Sequence, residues 1–154
     1  KDKHYVVSLE YITSRGHWYH RSWKGDESKS GGIATNIGIH FFDMLTWIFG
    51  KPAGDSVADI HDDHASGTLH LERATVTWKL SINAAHLPAP VAAAGKRTFR
   101  SLKIEGKEIE FSDGFTDLHT ACYRQILEGK GFGIAEARTS IEMVHAFRMN
   151  QAHP

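Results

Sequence analysis

The feature that most constrains this sequence is a helical segment, residues 31–49, whose side chains are apolar on nearly every side. Ser30 can cap its start, while Gly50 and the following Pro52 predict its end. A helix that is apolar all round is typical of a buried element, so the rest of the chain is expected to cover it. The apolar side chains of this pattern are Ile33, Ile37, Phe41, Phe42, Leu45, Trp47 and Ile48.

Strand-like segments are grouped together rather than alternating with helices. They lie at residues 5–13, 56–62, 67–72, 75–83, 97–104 and 107–111. Two more helices are predicted over residues 114–128 and 134–152, and residues 14–30 and 87–95 are predicted to be loops. This order indicates an α+β fold with a mixed, largely antiparallel sheet and helices on one face. No Gly-x-Gly-x-x-Gly motif follows a strand and opens a helix, so no Rossmann domain is expected in this chain.

The strand at residues 75–83 alternates strictly and places Val76, Trp78, Leu80 and Ile82 on one face. The sequence leaves open whether this stripe faces the helices or a second protein molecule. An oligomerisation module is therefore one alternative function, and a non-catalytic carbohydrate- or nucleotide-binding module is another. A strand, a glycine-rich turn and a helix upstream of this chain would favour an enzyme over both.

Composition narrows the class of protein. The 154 residues fit one domain, which we expect to be part of a longer protein because the chain enters a strand at once without an initial methionine. Lys+Arg and Asp+Glu are equal at 18 each, so no general affinity for nucleic acid or anionic membranes is indicated. The single cysteine, Cys122, excludes an internal disulfide, is expected to be buried, and fits a reducing compartment such as the cytoplasm.

Polar residues inside the apolar helix form the first candidate site. Asn36 and His40 are four residues apart and share one helical face, which Asp43 and Trp47 extend. Burying such groups is costly unless they are satisfied, and a histidine that titrates near neutral pH can take a proton from a substrate hydroxyl. The alternative is a satisfied core histidine, with Gly38 and its neighbours allowing tight helix packing.

A basic, aromatic segment at residues 14–24 forms the second candidate site. Its cations are Arg15, Arg21 and Lys24, and its aromatic residues include Trp23. Arginine matches carboxylates and phosphates with two parallel hydrogen bonds, so the segment suits a ligand with a diphosphate and a carboxylate. A solvated loop with a buried aromatic anchor explains the same composition.

Two further clusters of polar residues are weaker candidates for a functional site. Residues 61–64, with His70 nearby, contain metal-ligand types, but neighbouring strand residues point to opposite faces and the spacing matches no standard zinc pattern, so no metal is expected. Residues 113–120 are expected to start a helix capped by Asp113 or Thr116. There His119 is a candidate for the wall of a binding site, and a plain structural cap is the alternative.

The pattern Gly-Gly-x-x-x-Asn-x-Gly-x-His at residues 31–40 resembles the signature helix of the glucose-fructose oxidoreductase/inositol dehydrogenase (Gfo/Idh/MocA) family, which usually has Asp in place of Asn. Nearly the whole chain is similar to the C-terminal α+β domain of that family. The match is closest to the branch of UDP-N-acetylglucosaminuronate 3-dehydrogenases of bacterial lipopolysaccharide and O-antigen synthesis (WlbA/WbpB-like). Six segments carry this narrower resemblance, at residues 15–19, 22–25, 30–32, 36–43, 111–120 and 131–134.

The resemblance implies oxidation of the C3 hydroxyl of the UDP-sugar acid by NAD, with His40 as the base and Asn36 binding substrate and orienting His40. It suggests Arg21, Trp23 and Lys24 for the carboxylate or diphosphate, and Thr35 for a sugar hydroxyl. NAD would be bound mainly by an N-terminal Rossmann domain, without which the chain would be inactive. A homodimer or homotetramer through the sheet face is also implied.

Overall fold

A six-stranded sheet organises the residues that a computed structural model describes, which are 3–54, 56–109 and 117–151. The strands are β1 (Tyr5–Thr13), β2 (Val57–Ile60), β3 (His64–Leu71), β4 (Ala74–Ser81), β5 (Thr98–Ile104) and β6 (Lys107–Glu108). Their order in the sheet is β2-β3-β4-β1-β5-β6. β1 runs parallel to β4, and the other neighbouring pairs are antiparallel. The predicted mixed, largely antiparallel sheet is therefore confirmed.

The main core lies between this sheet and two helices, α3 (Ile39–Phe49) and α6 (Ile134–Gln151). Trp78 of β4 meets the ring of Phe42 edge-on at a centroid distance of 5.1 Å, and Phe147 lies 5.5 Å from Phe42 and 5.7 Å from Trp78. Val76 and Leu80 are buried on the same face of β4. The alternating stripe of β4 therefore faces the helices, as expected for side chains whose burial stabilises the fold by roughly 1.5–3 kcal/mol each.

The predicted helix over residues 31–49 is present, with a local change of winding. A π-helical segment, Ala34–Gly38, leads directly into α3. The Ser30 hydroxyl accepts a hydrogen bond from the Gly32 amide, and the Gly50 amide donates to the Thr46 carbonyl where Gly50 adopts a φ of 93°. The predicted end at Gly50 is thus confirmed, whereas Ser30 is the last residue of a short preceding helix, Glu27–Ser30, and does not cap this one.

The prediction that this helix is buried all round was wrong. Phe42 and Leu45 are fully buried, whereas the Trp47 side chain is 83% exposed and Ile48 is also exposed. The sheet and α6 cover only one side of α3, and no described residue covers the side that carries Trp47.

The segments predicted to be loops contain short helices. Residues 14–30 hold α1 (His17–Arg21), a 3-10 turn (Trp23–Gly25) and α2 (Glu27–Ser30), and residues 87–95 hold α4 (Ala89–Ala93). Local caps explain the first group. The Ser22 hydroxyl accepts from the Lys24 amide, and the Asp26 carboxylate accepts from the Ser28 amide. Such caps stabilise single turns that are too short to show a hydrophobic period.

The helix α5 (Leu118–Leu127) lies on the surface, and none of its side chains is buried. It follows Asp117, which has a φ of 58°, so it begins later than predicted; the proposed caps Asp113 and Thr116 lie outside the described residues. Cys122 is exposed on α5, which corrects the expectation of a buried thiol. Within the described part of the chain, no helix combines the length and apolar character needed to cross a membrane.

Candidate functional site

A cavity of about 720 Å³ lies where the end of β1, the segment after it, the π-helical turn, α3, β5 and the start of α5 meet. Five of the eight residues predicted from the sequence line it: Arg15, Lys24, Asn36, His40 and His119. These residues come from three separate parts of the chain, so their convergence is a property of the fold. It supports the view that the polar residues of the apolar helix belong to a binding site.

The described residues that line this cavity do not include three of the predicted ones, Arg21, Trp23 and Thr35. Arg21 is exposed at the end of α1, and the Trp23 side chain is 58% exposed. Thr35 packs its side chain against Gly31, where an added Cβ would lie 2.7 Å from the Thr35 hydroxyl oxygen. That buried hydroxyl has no hydrogen-bond partner among the described residues. The structure therefore does not place Arg21, Trp23 or Thr35 at the site.

Asn36 and His40 share the wall of the cavity even though the helix is π-wound at Asn36. The Asn36 side-chain amide donates a hydrogen bond of 3.0 Å to the hydroxyl of Tyr19, whose side chain is buried. This bond fixes the amide nitrogen of Asn36 and leaves its carbonyl oxygen as the group that can accept from a ligand. His40 is exposed and so accessible to one. Single π-turns of this kind occur frequently at functional sites.

Positive charge dominates the cavity wall. Arg15, Lys24 and Arg100 supply three cations, against one carboxylate from Asp43. An oxygen of that carboxylate accepts a hydrogen bond of 3.1 Å from the hydroxyl of Ser140, which is buried on α6. Among the described residues, neither Arg15 nor Lys24 forms an ion pair with a carboxylate. The cavity is therefore suited to an anionic ligand.

A second, smaller cavity of about 220 Å³ adjoins the first. Tyr19 and Lys24 line both, and the smaller cavity is further lined by His20, Glu27 and His61. One tyrosine and one lysine are thus shared by the walls of the two cavities. An elongated ligand could contact Lys24 at a point between its two ends.

The segment at residues 61–64 is held together by local contacts. The rings of His61 and His64 stack at a centroid distance of 4.4 Å, and the His64 ring bonds the Asp63 carboxylate at 2.6 Å. Asn83 donates to the other oxygen of Asp63 at 2.7 Å. The bonds from His64 and Asn83 lower the pKa of the Asp63 carboxyl group. The described residues contain no group of three or more possible ligands that could hold a metal ion.

The sequence analysis did not single out three residues that line the cavity, Tyr11, Tyr19 and Arg100. Tyr19 belongs to the basic, aromatic segment at residues 14–24, and the composition of that segment was the one sequence feature that could have indicated it. Tyr11 and Arg100 are directly paired across β1 and β5, which are separated by most of the chain. Alternation in β5 could have assigned a face to Arg100, but only the strand register brings it beside Tyr11.

Comparison with known proteins gives a consistent result. The family model described as "Oxidoreductase family, C-terminal alpha/beta domain" (GFO_IDH_MocA_C) matches residues 3–147. The WlbA (WbpB) dehydrogenase of Thermus thermophilus, solved with NAD and α-ketoglutarate, is 48% identical with a TM-score of 0.90. A second structure of that dehydrogenase, solved with NAD and UDP-GlcNAcA, is 46% identical to this chain and has a TM-score of 0.89. Each covers 96% of this chain, which spans only 48% of the length of each relative.

Proposed function

The chain belongs to the Gfo/Idh/MocA oxidoreductase family, as its C-terminal alpha/beta domain, and on that premise we propose that it is the substrate-binding half of an NAD-dependent dehydrogenase. The proposed substrate is UDP-N-acetylglucosaminuronate (UDP-GlcNAcA), oxidised at its C3 hydroxyl to the 3-keto sugar. The observation that carries this proposal is the cavity that combines His40 and Asn36 with three cations. The solved relative with UDP-GlcNAcA, 46% identical over nearly the whole chain, supports the choice of substrate.

His40 is the proposed catalytic base. Its side chain is exposed on the cavity wall, so it is accessible to the C3 hydroxyl of a bound sugar. A neutral imidazole can accept the hydroxyl proton as the C–H bond breaks, and positioned bases of this kind contribute typically about 10²–10⁴-fold to rates. NAD, when bound, supplies the acceptor for the hydride. The proton thus goes to His40 and the electron pair leaves with the hydride.

Asn36 and Tyr19 are proposed to hold the sugar against that base. The Asn36 amide nitrogen is committed to the Tyr19 hydroxyl, so its carbonyl oxygen accepts from a sugar hydroxyl. The Tyr19 hydroxyl accepts from Asn36 and retains its own hydrogen as a donor. Asn36 cannot itself act as a base, which leaves proton abstraction to His40. Lysine from another domain could share that role.

Arg15, Lys24 and His119 are the proposed contacts to the charged parts of the substrate. All three line the cavity, and Lys24 also lines the smaller one beside it. A UDP-sugar is elongated, with its diphosphate between the sugar and the nucleoside. A cation shared by the walls of two adjoining cavities suits such a diphosphate because a lysine acts as a point charge on a flexible stem.

The described residues do not fit the diphosphate of NAD itself. They contain no glycine-rich turn between a strand and a helix in a parallel β-α-β unit; β1 is instead followed by Ser14 and Arg15 and then the short α1. We therefore propose that NAD is held mainly by an N-terminal Rossmann domain of a longer protein. Residues 1–154 would then be one substrate-binding domain that has no activity alone.

The wider setting is part of the same proposal. The 3-keto product would serve lipopolysaccharide or O-antigen sugar biosynthesis. Residues 1–154 would assemble into a dimer or tetramer through the sheet face opposite α3 and α6, where Thr77 and Val6 are exposed. The exposed free thiol of Cys122 fits the reducing conditions of the cytoplasm.

The base assignment is tested with His40→Ala in the full-length protein, followed by NADH absorbance with UDP-GlcNAcA and NAD. We expect kcat to fall at least about 100-fold because the proton acceptor is removed. The melting temperature should stay unchanged because the side chain is exposed. His145→Ala, an exposed histidine of α6 outside the cavity, is the matched control and should keep full activity. Turnover of the His40 variant at the rate of the native protein would end the assignment.

A non-catalytic nucleotide-sugar-binding module remains the competing function, and the same assay separates the two. If the native full-length protein binds UDP-GlcNAcA in calorimetry but forms no NADH, the binding module is favoured. If it forms NADH, the dehydrogenase is favoured.

A further inference from the structure

Arg100 holds an unusual place among the cavity cations because it stands on the sheet. It lies on β5, directly opposite Tyr11 of β1 in the antiparallel register. Its guanidinium carbon lies 5.4 Å from the centre of the Tyr11 ring. The Tyr11 ring in turn contacts the ring of Phe41, the residue after His40, at a centroid distance of 5.0 Å. Tyr11 therefore connects the Arg100 side of the cavity to the helix turn that carries the proposed base.

The contact with Tyr11 has a consequence for hydrogen bonding. Arginine is planar, and in a cation–π contact its guanidinium lies over the ring while its N–H groups point outward in its own plane. Those N–H groups form a fork that matches the two oxygens of a carboxylate. Arg100 is also partly buried, so water screens its charge less than that of an exposed arginine.

The other two cavity cations lie outside the sheet. Arg15 follows β1 and lies 5.9 Å from the Trp18 ring, and Lys24 lies 5.8 Å from the Trp23 ring in the 3-10 turn. Lys24 reaches the smaller cavity as well. Lys24 therefore lies toward the second cavity, on the side where the elongated part of a nucleotide sugar would extend, whereas Arg100 lies on the wall linked to His40.

We infer that Arg100 is the residue that recognises the carboxylate of the sugar acid and so makes the enzyme specific for a uronate. The inference rests on the proposed function. In a pyranose uronate, the carbon that bears the carboxylate, C5, is separated from C3 by a single ring carbon. A sugar whose C3 hydroxyl meets His40 therefore presents its carboxylate a short distance away, where a cation on a neighbouring wall can bind it.

The test compares Arg100→Met with the native full-length protein on two substrates, UDP-GlcNAcA and its non-carboxylated parent UDP-N-acetylglucosamine. Loss of a charge-assisted, two-pronged contact is expected to lower kcat/KM for UDP-GlcNAcA on the order of 100-fold. The value for the parent sugar should not fall. Arg100→Lys should recover part of the loss because it restores the charge but not the fork. Equal losses on both substrates would overturn the inference.

Two arginines outside the cavity provide comparisons. Arg97→Met removes an exposed arginine just before β5 and is expected to leave both substrates unaffected. Arg21→Met removes the arginine that sequence reasoning favoured as carboxylate contact. If Arg21→Met lowers kcat/KM for UDP-GlcNAcA, relative to the parent sugar, more than Arg100→Met does, the carboxylate contact lies on α1 and the inference is overturned. Circular dichroism melting of each variant identifies any that fail to fold, and Arg100→Lys then supplies the measurement.

A binding experiment separates failure of this inference from failure of the proposed function. The probe is α-ketoglutarate, a small dicarboxylate that accompanies NAD in the solved relative. Titration calorimetry on the NAD-loaded full-length protein should show weaker binding to Arg100→Met, also on the order of 100-fold. If the native protein does not oxidise UDP-GlcNAcA but Arg100→Met still binds the dicarboxylate more weakly, the proposed substrate fails and the carboxylate site stands. Equal binding to both proteins overturns the carboxylate site.

Discussion

Tyr19 lines both cavities, although only 3% of the residue is exposed. It accepts from Asn36, and its ring meets Trp18 edge-on at 5.9 Å. The aromatic residues of the basic segment therefore differ in their burial. Trp18 and Trp23 lie outward beside Arg15 and Lys24, whereas Tyr19 anchors the segment in the core. The sequence indicated such an anchor without saying which ring it was.

Tyr19→Phe is predicted to loosen the site without removing its base. The change deletes the acceptor of the Asn36 amide, which should cost about 1 kcal/mol of unfolding free energy and raise KM for the UDP-sugar several-fold. Urea denaturation and steady-state NADH kinetics measure the two effects. Tyr5→Phe is the control because the Tyr5 ring packs against Phe49 outside the cavity. Identical behaviour of the two variants would show that the Tyr19–Asn36 bond does not organise the site.

At the scale of elements, the helix that carries His40 is shaped by close packing at its π-helical turn. Gly38 has an ordinary helical φ of −66°, so backbone freedom is not what selects glycine there. A Cβ at this position would lie 2.7 Å from the Phe42 ring and 2.8 Å from a methyl group of Leu80. Both neighbours are fully buried and have no room to yield. The sequence prediction of close approach at this glycine is confirmed by those distances.

Gly38→Ala should therefore destabilise the protein even though alanine favours helices. Overpacking of this kind typically costs about 1–3 kcal/mol, more than the ~1 kcal/mol that alanine contributes to helix propensity. Gly16→Ala is the control, since its Cβ would meet Trp18 at an ordinary 3.4 Å. We expect that change to stay within about 0.5 kcal/mol. Thermal denaturation compares the two, and an increase in stability for Gly38→Ala would refute the close-packing explanation.

For the molecule as a whole, the layers are joined where Phe42 of α3, Trp78 of β4 and Phe147 of α6 meet. The Asp43–Ser140 hydrogen bond adds a second link between the two helices, next to the cavity. The wall that carries His40 is therefore supported from behind by both the sheet and α6. The cavity itself forms on the side of that wall where β1, β5 and the short helices converge.

Phe42→Ala is predicted to cost about 3–5 kcal/mol because it leaves a cavity at the junction of three elements. Urea denaturation gives the free energy of unfolding directly. Trp47→Ala removes a larger side chain from the same helix, but that side chain is 83% exposed and should change stability by about 0.5 kcal/mol or less. A cost for Trp47→Ala as large as that for Phe42→Ala would mean that the exposed side of α3 is covered in solution.

Sequence alone determined the features that depend on neighbours along the chain. The alternation of β4, the end of the helix at Gly50, and the pairing of Asn36 with His40 all follow from local periodicity and capping. Tertiary structure decided which sides of those elements are covered. Trp47 and Cys122 are exposed because nothing described packs over them, and Arg100 reaches the cavity because β1 and β5 pair in one register. Such contacts join residues far apart in sequence, so no local pattern encodes them.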